Sequence, residues 1–61
     1  MTNINEMELQ NIRHLLIAAE TEQQKYTSYA EQAQDAYVKQ FFQKSAQSAT
    51  KNHQQLMQFL Q

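Results

Sequence analysis

The chain has 61 residues and contains neither glycine nor proline. The tight turns that join β-strands need residues that adopt positive φ at low cost, and glycine is the main one. Helix-favouring residues such as Ala, Leu, Glu and Lys dominate instead, together with twelve glutamines. The sequence therefore predicts an all-α protein.

Chain length makes it hard for this protein to fold alone, because so short a chain buries little apolar surface. Disulfides, a bound metal or self-association are the usual remedies. There is no cysteine, so disulfides and thiolate metal ligands are excluded. We expect a complete single-domain protein over residues 1–61 that forms a homodimer.

Net charge and hydropathy exclude two classes of partner. The formal net charge of −1 does not give the basic surface expected of a nucleic-acid-binding protein. The longest apolar run, residues 15–19, is too short to span a membrane, and it lacks the flanking features of a signal peptide. The expectation is an intracellular protein with no nucleic-acid or membrane partner.

Two helix starts can be recognised. Asn5 is a good N-cap, and Glu8 stands at the third helical position, where it completes a capping box. Asp35 is the second cap. These signals predict a first helix over about residues 6–33 and a second over about residues 36–60.

Apolar or small residues recur at steps of three and four along both predicted helices, as in antiparallel bundles. Two such helices form an antiparallel hairpin, and two hairpins packed together bury both apolar stripes in a four-helix bundle. The residues predicted to lie in the hairpin core or the dimer are Leu9, Ile12, Leu16, Ala19, Tyr26, Phe42, Ala46, Ala49, Leu56 and Leu60.

Further apolar residues lie beside this stripe. Leu15 and Ile17 widen it on the first helix, which suggests more than one neighbouring helix. Phe41 and Phe42 point about 100° apart on a helix, so one can face the hairpin partner and the other a second subunit.

Charge is divided unevenly between the two predicted helices. Residues 1–35 carry six acidic and two basic side chains, a net −4, whereas residues 36–61 carry three lysines and no acid, a net +3. Neighbouring helices of opposite sign are favoured, although each exposed pair contributes little.

His53 lies on the apolar side of the second helix. Folding about Asp35 places it within about one turn of Glu20. One interpretation is a half-buried histidine hydrogen-bonded to Glu20, Gln23 or a backbone group. The other is a metal site built from Glu20, Glu22 and His53, because bundles hold iron with glutamates and a Glu-x-x-His motif. Thr50 stands where that motif requires glutamate.

Catalytic chemistry is not indicated. Ser45 and Ser48 lie within the second helix with no histidine or carboxylate one turn away, and the tyrosines near the turn are typical of packing residues. We expect a non-enzymatic protein with no cofactor.

A family resemblance is carried by the tyrosine-rich end of the first helix, the cap before residue 36, and His53 three residues before Leu56. In these features the chain resembles the small spore-coat-like proteins of spore-forming Firmicutes, which are related to the coat F family and distantly to ferritin-like hairpins. Relatives often have proline where this chain has Ala36. The resemblance implies a structural or accessory role in sporulation, with other coat or assembly proteins as partners and the spore coat as location.

Two other functions remain open from the sequence. One is a degenerate ferritin-like bundle that binds metal. The other is a small helical regulator that offers a helix face to a signalling protein or transcription factor, which would require an exposed apolar patch.

Overall fold

The structure is a computed structural model and describes residues 4–60. It consists of two α-helices, α1 (Glu6–Gln32) and α2 (Ala36–Met57), and a short 3₁₀ segment, Gln58–Leu60. Residues 4–60 contain no strand. The predicted all-α class is confirmed for this part of the chain.

The start of α1 has the predicted capping box. The Asn5 side chain accepts a hydrogen bond from the Glu8 backbone N–H at 2.8 Å, and Glu8 Oε1 accepts one from the Asn5 N–H at 3.0 Å. These two bonds satisfy backbone donors that have no partner within the helix. Glu6 and Glu8 also place negative charge at the positive end of the helix dipole.

The chain reverses over residues 33–35 without glycine. Ala33 leaves the helix in an extended conformation (φ −70°, ψ 132°), and its N–H donates to the Tyr29 carbonyl at 3.0 Å. Asp35 is also extended, and its carboxylate accepts from the N–H groups of Tyr37 and Val38 at 2.9 and 3.0 Å. No residue in the described range has positive φ, so this turn does not require glycine.

The two helices pack against each other in opposite directions. The Tyr26 ring stacks on Phe42 with centroids 6.2 Å apart, while Glu20, earlier in α1, contacts His53, later in α2. This reversed order defines an antiparallel hairpin, which measures 46 × 16 × 12 Å.

The hairpin core is thin. Five residues of the described range are buried, and three of them are alanines: Ile12, Leu16, Ala19, Ala30 and Ala49. Leu9, Tyr26, Phe42, Ala46 and Leu56 are half-buried. Leu60 is 41% exposed in the single chain. The small buried side chains let the helices approach closely, but they remove little apolar surface from water.

Candidate functional site

Each broad face of the hairpin has a shallow groove between the helices. One groove is lined by Ala19, Glu20, Gln23, Thr50 and His53. The groove on the opposite face is lined by Leu15, Ala18, Ala19, Glu22, Asn52 and Leu56. Buried Ala19 borders both grooves because it lies between the helices. We call the face with Glu20 and His53 the polar face, and the one with Leu15 and Asn52 the apolar face.

On the polar face, an interhelical contact joins His53 to Glu20. His53 Nε2 lies 3.1 Å from Glu20 Oε1, with the two side chains 30% and 62% exposed. His53 follows buried Ala49 by one helical turn, and Glu20 follows buried Ala19 by one residue. The core packing thus sets the two backbones at the distance that this contact requires. The hydrogen-bonded histidine expected from the sequence is present.

The three candidate metal ligands do not come together. Glu20 and His53 are in contact, but Glu22 lines the groove on the other face. The Thr50 hydroxyl lies beside His53 but donates to the Ala46 carbonyl at 3.1 Å. Within residues 4–60, no group of three or more His, Cys, Asp or Glu side chains is placed to hold a metal ion. One chain offers at most a two-ligand fragment in this groove.

The hydroxyl side chains in the middle of the helices bond to the backbone. Ser45 Oγ donates to the Phe41 carbonyl at 2.9 Å, and Thr27 Oγ1 donates to the Gln23 carbonyl at 2.8 Å. Both acceptors lie one helical turn earlier, the usual local bond of such residues within a helix. Neither contact is the hydroxyl-to-base arrangement that activates a nucleophile.

A wider groove of about 520 Å³ continues along the polar face toward the turn. Ala30 and Ala46 border it, and Glu31 and Lys39 bring charges of opposite sign. The other groups that line it are uncharged polar side chains: Thr27, Gln43 and Gln47. The groove offers hydrogen bonds but no cluster of charge.

The apolar face runs from Leu15 to Tyr29 along α1, about 21 Å at the rise of an α-helix. Leu15, Glu22 and Tyr29 are seven residues apart on α1, close to two full turns, so they share one side of that helix. On α2, Phe41 precedes Asn52 by eleven residues, about three turns, and shares its side. Ala18, on α1, also lines the groove on this face.

An aromatic cluster forms the end of the apolar face nearest the turn. The Tyr29 and Phe42 ring centroids are 5.2 Å apart, and those of Phe41 and Phe42 are 5.5 Å apart, both edge to face. Tyr26 stacks on Phe42 and also contacts the Tyr29 ring edge to face, with centroids 6.4 Å apart. Phe42 is half-buried within this cluster, whereas Phe41 is 63% exposed. The two rings therefore face different surroundings.

Exposed apolar side chains are numerous for so small a chain. Ten large hydrophobic residues in the described range are between 41% and 84% exposed: Met7, Leu15, Ile17, Tyr29, Tyr37, Val38, Phe41, Met57, Phe59 and Leu60. Single exposed hydrophobic residues need no explanation, but a contiguous set indicates an interaction surface.

Sequence reasoning did not place Tyr29 on the same side of α1 as Leu15. The signal was the seven-residue spacing of Leu15, Glu22 and Tyr29. The glutamate between the two apolar residues concealed it, because a pattern search for apolar residues alone breaks at that position.

Comparison of the chain with protein-family models, with curated proteins and with solved structures finds no match in any of the three. The resemblance to spore-coat-like proteins therefore stays a prediction. Neither helix, within the described residues, has the length and apolar character that crossing a membrane would demand.

Proposed function

We propose that this chain is a non-enzymatic interaction protein that acts as a homodimeric four-helix bundle. The observation that carries the proposal is the imbalance between its thin core and its exposed apolar surface. Three of the five buried residues are alanines, while ten large hydrophobic side chains remain exposed. A second surface that covers these side chains supplies the burial that a lone hairpin lacks.

Free-energy considerations support association. Apolar burial contributes about 25 cal/mol per Å², and ordering each residue costs on the order of 1.5 kcal/mol. Alanine brings little apolar area to a core, so the hairpin gains little from its three buried alanines. Two-helix units of this kind bury a continuous core when they pair.

Side-chain chemistry supports a role without catalysis. The hydroxyls of Ser45 and Thr50 bond to backbone carbonyls, and His53 contacts a carboxylate that is 62% exposed. An active site usually places its reacting groups in a water-excluding pocket, and the described grooves are shallow and lined by few ionisable groups.

The biological setting that we propose is a spore coat or a related protein layer, and this part rests on the family resemblance. Twelve glutamines and a net charge of −1 are compatible with lateral association, because a surface of low net charge repels its copies weakly. A fluorescent fusion in a sporulating host should locate at the developing coat. A uniform signal in the cytoplasm would remove the coat assignment and leave the dimer unaffected.

Sedimentation equilibrium of the purified chain tests the dimer. We expect a mass of twice 7.2 kDa at micromolar concentration, with helical circular dichroism that decreases on dilution as the dimer dissociates. A folded monomer over the whole accessible concentration range would overturn the proposal. It would favour the small helical regulator, in which a different protein covers the apolar face.

A further inference from the structure

On the basis of the proposed dimer, we infer that the second copy docks on the apolar face formed by Leu15, Ala18, Tyr29, Phe41 and Asn52, with its long axis aligned so that both turns lie at the same end. The polar face with Glu20 and His53 then remains on the outside of the bundle.

The size of a whole broad side of the hairpin suits a second copy of the chain. The hairpin is 46 Å long and 16 Å wide, and a stable interface buries about 800 Å² on each partner. One broad face of the hairpin is thus close to the area that a standard dimer needs.

The two faces differ in the residues they would have to bury. On the apolar face, Glu22 is the charged side chain between Leu15 and Tyr29, and it lines the groove there. On the polar face, Glu20, Glu31 and Lys39 line the grooves. Covering these three charged side chains would cost more than covering the apolar face, whose groove holds the single carboxylate of Glu22.

The net charges of the two helices favour one arrangement of the helices across the dimer interface. Residues 1–35 carry a net −4 and residues 36–61 a net +3. A twofold axis parallel to the helices places α1 of each copy over α2 of the other, so that opposite charges face each other across the interface. A twofold axis perpendicular to the helices would instead place α1 over α1 and α2 over α2, with like charges opposed.

The positions of the aromatic residues also favour the dimer whose twofold axis is parallel to the helices. Tyr29 and Phe41 lie at the same level of the hairpin, since both contact Phe42. With both turns at one end, Tyr29 of each copy lies over Phe41 of the other, and four exposed rings become buried together. With the turns at opposite ends, the Tyr29 and Phe41 rings of one copy would lie away from those of the other.

Two matched substitutions test the face. Leu15 and Ile17 are 54% and 62% exposed on the same helix, but they point about 200° apart around it. We expect Leu15→Glu to raise the dimer dissociation constant at least about a hundredfold, because both copies would bury a carboxylate. Ile17→Glu should change it by less than about threefold. Equal effects, or a larger effect of Ile17→Glu, would overturn the choice of face while the wild-type dimer still stands.

A labelling measurement covers the case in which Leu15→Glu does not fold. The chain has no cysteine, so Asn52→Cys and Thr50→Cys each introduce a single thiol on opposite faces of α2. The protein concentration is raised from well below to well above the dimer dissociation constant. This increase should slow thiol labelling at least about tenfold for Asn52→Cys and leave the labelling rate of Thr50→Cys unchanged. The reverse pattern, or protection of neither thiol in a proven dimer, would overturn the choice of face.

The orientation is tested with a spin label at Gln34→Cys, an exposed position in the turn. Pulsed electron resonance on the dimer should give a distance between the two labels well below the 46 Å hairpin length. A distance equal to or above that length would place the turns at opposite ends and overturn the orientation. A monomeric wild-type chain would overturn both this inference and the proposed function, whereas a dimer with the wrong face or orientation overturns the inference alone.

Discussion

His53 Nε2 lies 3.1 Å from Glu20 Oε1, a contact that joins the two helices between residues 33 positions apart in the sequence. It is the side-chain hydrogen bond that links α1 to α2 in the described part of the chain. Because Glu20 is 62% exposed, water screens the contact, and its role is to align the helices more than to hold them together.

A double-mutant cycle measures this contact. We expect Glu20→Gln and His53→Gln to show a coupling of about 0.2–1 kcal/mol in the free energy of unfolding, the range of exposed ion pairs. Denaturant unfolding at fixed protein concentration gives the four values that the cycle requires. Glu22→Gln is the matched control, since Glu22 lines the opposite groove and should not couple to His53→Gln. Coupling as large for Glu22 as for Glu20 would contradict the placement of these side chains.

The Asp35 cap stabilises the start of α2. Its carboxylate accepts hydrogen bonds from Tyr37 and Val38 N–H groups, so Asp35→Ala should lower the free energy of unfolding by about 1 kcal/mol. Asp35→Asn keeps an acceptor oxygen and should lose much less. The measurement is urea unfolding followed by circular dichroism. An equal loss in both variants would mean that charge at the helix end, not the capping bond, is responsible.

The helices could be predicted from the sequence because their signals are local. Asn5 with Glu8, and Asp35 with the residues after it, define the helix starts through bonds over two or three residues. The end of α1 was predicted at about residue 33, and the helix stops at Gln32. Whether position 33 continues the helix depends on how the turn packs, and no capping residue marks that choice.

The arrangement of the two faces could be predicted only in part. The approach of Glu20 to His53 followed from the position of the turn. The separation of Glu20 from Glu22 also follows from helix geometry, because residues two apart point about 200° apart. The sequence does not show which of the two glutamates lies on the same side of the hairpin as His53. That placement depends on the rotation of each helix about its axis, which is determined by packing around the buried alanines.

Ala49 shows how closely the helices approach. It is the most buried core residue, at 2% exposure, and has no room for a larger side chain. Ala49→Leu should therefore lower the free energy of unfolding by about 1–3 kcal/mol although it adds apolar surface. Thermal and urea unfolding at matched concentration provide the measurement.

The control for this substitution is Ala36→Leu, at an exposed position of the same helix, where the change should stay within about 0.5 kcal/mol. A stabilised Ala49→Leu variant would show that the helices can separate to accept the leucine. The thin core would then be loosely packed, and the case for a tight interhelical contact at Ala49 would fail.

Metal titration distinguishes a structural bundle from a ferritin-like one. Calorimetry with zinc and iron(II) on the dimer should show no saturating site at one metal per dimer, because residues 4–60 of each chain place no more than Glu20 and His53 together in one groove. Docking through the apolar face also places the two Glu20–His53 pairs on opposite outer surfaces, so that the second copy cannot complete the ligand set. A tight site at one metal per dimer that is lost in His53→Ala would require both pairs to meet in the bundle interior. That result would contradict the proposed dimer face, and Glu20→Gln would then be expected to abolish binding while Glu22→Gln leaves it intact.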